Sequence, residues 1–475
     1  MISFTICLFA LLIGYLTYSR FIEHIFGPDD RKTPATTMTD GVDYLPMPTW
    51  KLFMIQFLNI AGLGPIFGAV MGAKFGSSSY LWIVFGTIFA GSVHDYMGGM
   101  LSVRHGGESL PETVGRYLGL TTKQVMRVFS VLLLLLLGAT FAYGPADLLT
   151  NMTNNDLNFT FWIVVIFAYY ILATLLPIDK IIGKIYPLFA FALIFMAAGI
   201  LLMLFVKRPA IPEFWDGLQN MSPNPDKSPI FPMMFISIAC GAISGFHGTQ
   251  SPLMARCMKS EREGRRVFAG SMYTEGVVAL IWAAAATAYF HDNGSGENSA
   301  AVIVNAITHN WLGTFGGILA VLGVIAAPIT SADTAFRSAR LIIADFLKIK
   351  QTKILNRLVI SVPLFLIAIA LVLYSQTNSE GFNMIWRYFS WFNQILAVFT
   401  LWTVTAFLTF TKRPYWITLV PALFMTSVCM TYICIAPEGL QLSAPVSYGV
   451  GVLCMIIAAC WFFVWEKKVS KNKKI

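Results

Sequence analysis

The sequence GAISGFHGTQSP (241–252) decides the fold, because it places three glycines and one proline inside the otherwise apolar segment 229–255. Glycine and proline break a helix and leave backbone groups unpaired, and a membrane tolerates such groups mainly where they line a cavity. The sequence NIAGLGP (59–65) interrupts a second apolar segment, 53–73, in the same way. The two interruptions predict an all-α membrane protein that is built around a cavity.

The composition agrees with a membrane location. Of the 475 residues, 56% are hydrophobic and 12% are charged, and the mean hydropathy is +0.68. Soluble domains have about 45–50% apolar and about 25% charged residues, so this chain lacks the charged surface that a soluble protein of its size needs. A soluble enzyme, a disordered chain and a secreted disulfide scaffold are therefore excluded. The 7 cysteines form no CxxC pair, and we expect neither a disulfide nor a structural zinc site.

Apolar windows of about 19 residues predict thirteen membrane spans. The first, 2–19, has no basic leader and no cleavage site, so we interpret it as a retained helix rather than a signal peptide. The other spans fall near 53–73, 80–102, 127–149, 160–177, 184–206, 229–255, 265–290, 311–336, 355–374, 386–410, 414–434 and 446–466.

The basic residues alternate from loop to loop. Counted along these spans, one set of alternate loops carries 28 of the 33 lysines and arginines, and the other set carries the remaining 5. Cytoplasmic loops are enriched in Lys and Arg, so this asymmetry predicts an N-terminus outside and a cytoplasmic C-terminus. The net charge of +9 then reflects membrane orientation, and no nucleic-acid partner is needed to explain it.

The broken segments divide the chain into two matching blocks of five spans. The first block starts from the inside and the second from the outside, which is typical of secondary transporters with inverted repeats. The alternative is that the glycines only allow close helix packing. The predicted organisation is an extra N-terminal helix with a cytoplasmic loop (1–50), a first repeat (51–206), an extracellular linker (207–228), a second repeat (229–410), and two C-terminal helices with a basic tail (411–475).

The residues at the two breaks form the predicted substrate site. Half-helix N-termini present N–H groups and partial positive charge to an anionic substrate, and free carbonyls at the opposite ends can coordinate a cation. His247 can also gain or lose a proton near neutral pH, with a purely structural role as the alternative. Asn393 and Gln394 can line the cavity or hydrogen-bond between helices. The predicted substrate-binding residues are Asn59, Gly62, Gly64, Pro65, Ser244, Gly245, His247, Thr249, Gln250 and Ser251.

Ionisable and hydroxyl side chains within other spans are the predicted ion-coupling residues, because charge at membrane depth is costly and often functional. His94 and Asp95 are helix neighbours that should point about 100° apart, so we do not expect both to serve one small site. Instead of coupling an ion, Glu275 can pair with a basic residue elsewhere. Asp333 can likewise pair with Arg337, which lies one helical turn later. The predicted ion-coupling residues are Thr330, Ser331, Asp333, Glu275, His94 and Asp95.

Four stretches resemble the carbon starvation protein A family. They are GPIFGAVMGAKFG (64–76), LWIVFGTIFAGSVHDYMGGMLSVRHGGESLPE (81–112), ACGAISGFHGTQSP (239–252) and APITSADTAFRSARLI (327–342). The resemblance covers the core from about 50 to 410, and it implies a multi-pass transporter of the bacterial inner membrane with the five-plus-five inverted-repeat fold. Members of the family include peptide transporters and pyruvate–proton symporters.

The chain departs from the long family members in two respects. It has fewer C-terminal helices, and it reads HGTQSP (247–252) where they carry a Ser/Thr-rich stretch, so the substrate is the least transferable property. The hypothesis is a secondary active transporter that imports a small carboxylate such as pyruvate, or short peptides, by cation symport with alternating access. We expect H+ rather than Na+ as the coupling cation, the lipid bilayer as surroundings, and no cofactor or resident metal.

Three alternatives remain, of which the channel and the enzyme belong to other classes of protein. A sodium-coupled transporter of another small metabolite differs in ion and substrate. A passive channel lacks support, because no ring of identical charges is evident. A membrane-embedded metal enzyme would use His94, Asp95, His105 and Glu108, but their spacing matches no H-E-x-x-H type of motif.

Overall fold

The computed structural model describes residues 1–41, 43–153, 156–175, 178–294, 300–351, 353–377 and 381–472. Within these ranges all regular secondary structure is helical, as the sequence predicts. The end of the predicted span 160–177 and the last residues of the basic tail, 473–475, lie outside the described residues.

The helices follow the predicted spans closely. They are α1 (Ile2–Leu16), α2 (Tyr18–Phe26), α3 (Pro34–Thr37), α4 (Thr49–Ile60), α5 (Ala69–Gly72), α6 (Ser78–Phe85), α7 (Ser92–Arg104), α8 (Leu110–Leu118), α9 (Leu120–Met152), α10 (Phe159–Leu175), α11 (Ile178–Lys207), α12 (Ile230–Ser237), α13 (Gly245–Ala255), α14 (Gly270–Asn293), α15 (Ala300–Leu347), α16 (Ile354–Thr377), α17 (Gly381–Phe410), α18 (Trp416–Ile435) and α19 (Ala444–Asn472). When α1–α2, α4–α5, α6–α7 and α12–α13 are each taken as one unit, and α3 and α8 as loop helices, the described residues contain thirteen helical units at the positions of the predicted spans.

Among the described residues, 8 helical stretches are individually long and apolar enough to cross a membrane. The remaining spans are shorter or interrupted. The apolar part of α10 is short, a π-helical turn at Gly86–Gly91 joins α6 to α7, and α15 bends at Gly313, where φ is +67°. The fold is therefore that of a multi-span membrane protein.

Both predicted breaks are confirmed. Helix α4 ends at Ile60, the chain becomes helical again at Gly64, and the two halves meet at an angle of 52°. Helix α12 ends at Ser237 and α13 begins only at Gly245. Each interruption contains one glycine, Gly62 or Gly241, which disfavours a helix there because glycine has the largest backbone entropy to lose.

The broken helices lie at the centre of the bundle. Helix α4 packs against α11, α13, α14 and α15, and α13 packs against α7, α15 and α17. In the most apolar stretch of Glu261–Asn293, which contains α14, 89% of the residues are buried, against 17% in Ala444–Val469. Helix α14 thus belongs to the core, whereas α19 lies at the periphery.

Loops that the sequence places on one side of the membrane contact one another. Glu261 accepts hydrogen bonds from Arg104 Nε and Nη2, both at 3.0 Å, and from the amide of Asp29 at 3.1 Å, so three predicted cytoplasmic loops meet at one end of the bundle. At the other end, Arg387 forms an ion pair with Glu438 across two predicted outer loops. The alternation of the spans therefore agrees with the positions of the loops.

Candidate functional site

Four ionisable side chains form one buried chain across three helices. The Nδ1 atom of His94 on α7 lies 2.8 Å from Asp95 Oδ1, and the Nδ1 atom of His247 on α13 lies 2.8 Å from Asp95 Oδ2. On its other side, His247 Nε2 lies 3.2 Å from Glu275 Oε2 on α14. None of the four residues is more than 1% exposed. We call these four residues the charge cluster.

The charge cluster has the composition needed to hold and pass a proton. An ionised carboxylate only accepts hydrogen bonds, so when Asp95 is ionised both imidazoles donate to it. His247 then lies between two carboxylates, those of Asp95 and Glu275. Within the described residues neither oxygen of Glu275 accepts a hydrogen bond, and His94 Nε2 is also buried without a partner. Both ends of the charge cluster therefore retain unused hydrogen-bonding capacity.

His94 and Asp95 meet in the charge cluster, although helix geometry led us to expect their side chains to point apart. A shared functional role for the two residues stays a prediction. Their Cα–Cβ bonds diverge on the helix, but the imidazole is long enough to turn back, and its Nδ1 atom reaches the neighbouring carboxylate. The second oxygen of Asp95 then contacts His247. The angular argument fixes the direction of Cβ only, and it does not limit where the polar atoms of a long side chain lie.

Small residues allow α7 to reach the second break. A Cβ atom on Gly91 would lie 2.3 Å from the carbonyl oxygen of Ala242, so no larger residue fits there without movement. Thr87 donates a hydrogen bond to the carbonyl of Gly241 at 3.1 Å, which satisfies one backbone group that the break exposes. This close approach brings the side chains at the start of α7 to the level of His247.

Helix α17 stabilises the second break through two carboxamides. Asn393 Oδ1 accepts hydrogen bonds from the amide of Phe246 at 2.7 Å and from Ser244 Oγ at 3.0 Å. Gln394 Nε2 donates to the carbonyl of Ile243 at 3.0 Å. Of the two roles that the sequence left open for Asn393 and Gln394, bonding between elements is therefore the one observed. Asn393 also uses one of the α13 amides that an anionic substrate would otherwise meet.

The predicted glycines at the breaks are packed against neighbouring elements. A Cβ atom would lie 2.4 Å from Phe141 Cε2 at Gly62, 2.3 Å from Cys240 Cβ at Gly64, and 2.3 Å from the carbonyl oxygen of Asn393 at Gly245. Pro65 lies in the π-helical turn Gly64–Gly68. These distances favour the packing alternative for the glycines, and contact with a substrate remains a prediction.

Uncommitted carboxamides lie beside the first break. Both amide atoms of Asn59 are buried without a hydrogen-bond partner among the described residues, and the same holds for Gln56, one turn earlier on α4. A buried carboxamide without a partner is costly, so such a group indicates a place for a ligand or water. Sequence analysis missed Gln56, although its three-residue spacing from Asn59 is the signal that could have identified it.

The remaining predicted substrate residues follow the second break along α13. Thr249 Oγ1 donates to the carbonyl of Phe246 at 2.7 Å, and Ser251 Oγ donates to the carbonyl of His247 at 2.9 Å. Gln250 Nε2 lies 3.4 Å from Ser338 Oγ on α15, while Gln250 Oε1 is buried and accepts no hydrogen bond from a described residue. Gln250 is thus the member of this group that retains a free acceptor.

The predicted ion-coupling residues of α15 are separate from the charge cluster. Ser331 Oγ lies 3.1 Å from the carbonyl oxygen of Leu58, at the first break, and 2.9 Å from that of Ala327. Thr330 Oγ1 also contacts the Ala327 carbonyl, at 2.8 Å. Asp333 Oδ2 accepts a hydrogen bond from Tyr186 at 2.7 Å. The Ser331 hydroxyl therefore bridges α15 and the first broken helix, whereas the Thr330 hydroxyl bonds within α15.

The residues that would form an enzyme's metal site do not converge. His105 contacts the hydroxyl of Tyr117 at 2.8 Å, and Glu108 forms an ion pair with Arg116. Their polar contacts are therefore with residues other than His94 and Asp95. Over the part of the chain that the structure describes, no group of three or more His, Cys, Asp and Glu residues is arranged to hold a metal ion.

Comparison of the sequence with known proteins identifies named relatives. A membrane protein of Haemophilus influenzae, whose name assigns no function, is 43% identical over 342 residues, covering 62% of this chain and 92% of that protein. The pyruvate/proton symporter BtsT of Escherichia coli is 26% identical over 345 residues, or 58% of this chain and 47% of that protein. The peptide transporter CstA of Bacillus subtilis is 29% identical over 352 residues, covering 60% of this chain and 59% of that protein. The chain thus spans about half the length of the relatives whose names state a function.

Solved structures and a family profile complete the comparison. The manganese transporter of Eremococcus coleocola superposes with a TM-score of 0.58 at 12% identity, covering 90% of this chain and 99% of that one. MhsT in complex with L-phenylalanine superposes with a TM-score of 0.57 at 14% identity, covering 85% of this chain and 98% of that one. At these identities the similarity shows the fold alone, which this chain shares with both proteins. The profile described as carbon starvation protein CstA matches residues 1–154, 146–310 and 293–432. The chain therefore belongs to the carbon starvation protein CstA family.

Proposed function

We propose that this protein is a secondary active transporter that imports a small carboxylate such as pyruvate, or short peptides, in symport with protons. Its named relatives include a pyruvate/proton symporter and peptide transporters, and its fold is shared with transporters. The bacterial inner membrane is the proposed location, with the N-terminus outside and the C-terminus in the cytoplasm. The predicted topology puts most of the lysine- and arginine-rich loops on the same side of the membrane as the C-terminus, and such loops are typically cytoplasmic.

The observation that carries the proposal is the charge cluster. It links three helices, and α13 is half of a broken span, so alternating access would change the contact between His247 and its two carboxylates. A proton taken up by the charge cluster in one state and released in the other would couple the two movements. The symported proton would also compensate the negative charge of a carboxylate as it crosses the membrane.

The uncommitted carboxamides are the proposed substrate contacts. Gln56 and Asn59 on α4 and Gln250 on α13 are buried and have polar atoms without partners in the described chain. A carboxamide both donates and accepts, so these groups suit the carboxylate and carbonyl oxygens of pyruvate as well as the amide of a peptide bond.

Sodium coupling is the second candidate, and one observation favours it. Ser331 Oγ lies beside the carbonyl oxygens of Leu58 and Ala327, which gives a small group of neutral oxygen atoms at the first break. Oxygen atoms are the ligands that hard cations prefer. In this alternative the α15 hydroxyls hold the coupling ion, and the charge cluster has a structural role.

Uptake by proteoliposomes tests both candidates. Labelled pyruvate is supplied under an inward proton gradient alone or an inward sodium gradient alone, with unlabelled dialanine as competitor. We expect the proton gradient to drive accumulation, His247→Gln and Asp95→Asn to reduce it at least tenfold, and His291→Gln to leave it unchanged, because His291 is exposed.

The other outcomes are equally specific. Accumulation that needs sodium and is lost in Ser331→Ala, but not in His247→Gln, would replace proton coupling by the second candidate. Labelled dialanine is then tested in the same two gradients. If neither substrate accumulates in either gradient, the proposed function is refuted.

A further inference from the structure

Three arginines are buried together at the inner end of α15. The exposed fractions of Arg337, Arg340 and Arg357 are 6%, 3% and 5%. Arg337 and Arg340 are three residues apart on one helix and therefore lie on the same face. Guanidinium groups are rarely buried unless they are paired, so each of the three calls for a partner.

The protein supplies only part of that pairing. Arg337 Nη1 lies 3.7 Å from Asp43 Oδ1, which is too long for a hydrogen bond, and its Nη2 donates to the carbonyl of Ala173 at 3.4 Å. Arg357 Nε donates to the carbonyl of Gln351 at 2.8 Å. Arg340 has no ion pair with a described residue, and its Nε and Nη1 atoms are buried without a hydrogen-bond partner. An unpaired buried guanidinium is strongly unfavourable.

The charges around Arg340 do not balance. Among the described residues, the charged groups with the largest electrostatic effect on Arg340 are Arg337, Arg357, Asp43 and Asp333. Three guanidinium groups and two carboxylates leave one positive charge even when both carboxylates are ionised. Asp333 is also engaged by Tyr186, and Asp43 Oδ1 accepts no hydrogen bond. One additional carboxylate would neutralise the group and satisfy Arg340.

We propose that Arg340, together with Arg337, forms an inner binding site for the carboxylate group of the transported substrate. This inference rests on the proposed function, and it identifies the chemical feature that pyruvate and a peptide C-terminus share. The planar guanidinium binds a carboxylate through two parallel hydrogen bonds, a geometry that lysine cannot provide. The burial of Arg340 and the single unbalanced charge favour a small monovalent anion over a lipid headgroup or a phosphate.

The position of the arginines connects this site with the second break. Gln250 on α13 reaches Ser338, and Ser338 Oγ in turn lies 3.2 Å from the carbonyl of Thr249. Ser338 lies between Arg337 and Arg340 in the sequence. A carboxylate that leaves the midplane along α13 would therefore meet the arginines next.

Ligand-induced thermal stabilisation of the full chain tests the inference. Wild type, Arg340→Gln, Arg340→Lys and Arg262→Gln are purified in nanodiscs of neutral phosphatidylcholine, and the Tm is measured with pyruvate, dialanine or inorganic phosphate. Arg262 is the control, since its side chain is exposed and pairs with Asp30 at the surface. We expect pyruvate and dialanine to raise the Tm of wild type and Arg262→Gln equally, the shift to fall below half in Arg340→Gln, and Arg340→Lys to be intermediate.

Several results would overturn the carboxylate site. These are a full Tm shift in Arg340→Gln, a larger shift with phosphate than with pyruvate, or no shift in wild type. If Arg340→Gln does not fold, Arg340→Lys decides, and a full shift in that variant refutes recognition by the guanidinium. The proteoliposome assay separates the two proposals. Gradient-driven uptake by wild type with an unchanged shift in Arg340→Gln refutes only the inner site, whereas a lost shift without any uptake refutes only the function.

Discussion

The replacement Gly245→Ala tests whether the glycines at the second break serve packing or substrate binding. Gly245 is the first residue of α13 and faces the backbone of α17. A new Cβ atom would lie 2.3 Å from the carbonyl oxygen of Asn393, 2.4 Å from the amide nitrogen of Ala397 and 2.4 Å from Leu396 Cβ. Two of these atoms belong to the backbone and cannot rotate away. Helices α13 and α17 must therefore separate to accommodate the methyl group.

The cost can be derived from these contacts. Overpacking costs about 1–3 kcal/mol, and backbone neighbours place this site near the upper value. Separation of the helices would also weaken the hydrogen bond from Phe246 to Asn393, worth roughly 0.5–1.5 kcal/mol. The lower unfolded-state entropy of alanine offsets about 0.4–1 kcal/mol. We expect a net loss of about 3 kcal/mol, which corresponds to a fall in Tm of roughly 3–6 °C if the size trend of smaller proteins extends to this chain.

The assay is thermal unfolding of the purified protein in parallel with pyruvate uptake. Gly449→Ala on α19 is the control, because no atom lies within 4 Å of its new methyl group and its Tm should stay constant or rise slightly. A Gly245→Ala protein as stable as wild type would refute the packing argument. If that stable variant also failed to transport, Gly245 would return to the substrate site that the sequence predicts.

Two further predictions concern the predicted cytoplasmic side. Burial raises the pKa of Glu112, but hydrogen bonds from Lys123 and Arg127 outweigh this effect and lower the pKa below its usual 4.5. The stabilisation by ionised Glu112 is therefore complete above about pH 4.5 and is lost as the pH falls through the folded-state pKa. The Tm difference between wild type and Glu112→Gln should then shrink in acid. A Tm difference that does not depend on pH would contradict this. The buried Glu261 forms an ion pair with Arg104, whose side chain is 10% exposed. Arg104→Gln and Glu261→Gln should each cost up to about 3–5 kcal/mol, and the double variant clearly less than their sum. Additive losses in thermal unfolding would show that the pair is not coupled.

Much of the fold could be predicted because its signals are local. A run of apolar residues specifies a span, and glycine and proline specify the ends of α4 and α13 wherever the helices later pack. The charge cluster was predictable only as a set of separate candidates. Asp95 and His247 are 152 residues apart, and their contact depends on how α7 crosses the second break, which no local pattern encodes. The capping of α13 by Asn393 depends on packing in the same way.

Two residues were missed for different physical reasons. The three-residue spacing from Asn59 was the only sequence signal for Gln56, and the structure adds that its carboxamide is buried without a hydrogen-bond partner among the described residues. Arg340 counts in the sequence as one more cation of a cytoplasmic loop, where solvent would surround it. The structure instead buries Arg340 one turn after Arg337, and the same positive charge has no ion pair among the described residues. Charge counts predict orientation, but they carry no information about pairing.

Helix α13 is the element through which the two proposals depend on each other. His247 places one face of this helix in the charge cluster, and Gln250, three residues later, contacts Ser338 beside the arginines. The non-helical residues 238–244 separate α13 from α12, so α13 can move without carrying the outer half of the span. If it moves as a rigid body, His247 cannot leave Asp95 unless Gln250 also shifts relative to α15. Protonation of the charge cluster and occupancy of the arginine site would then change together, which is the requirement for symport.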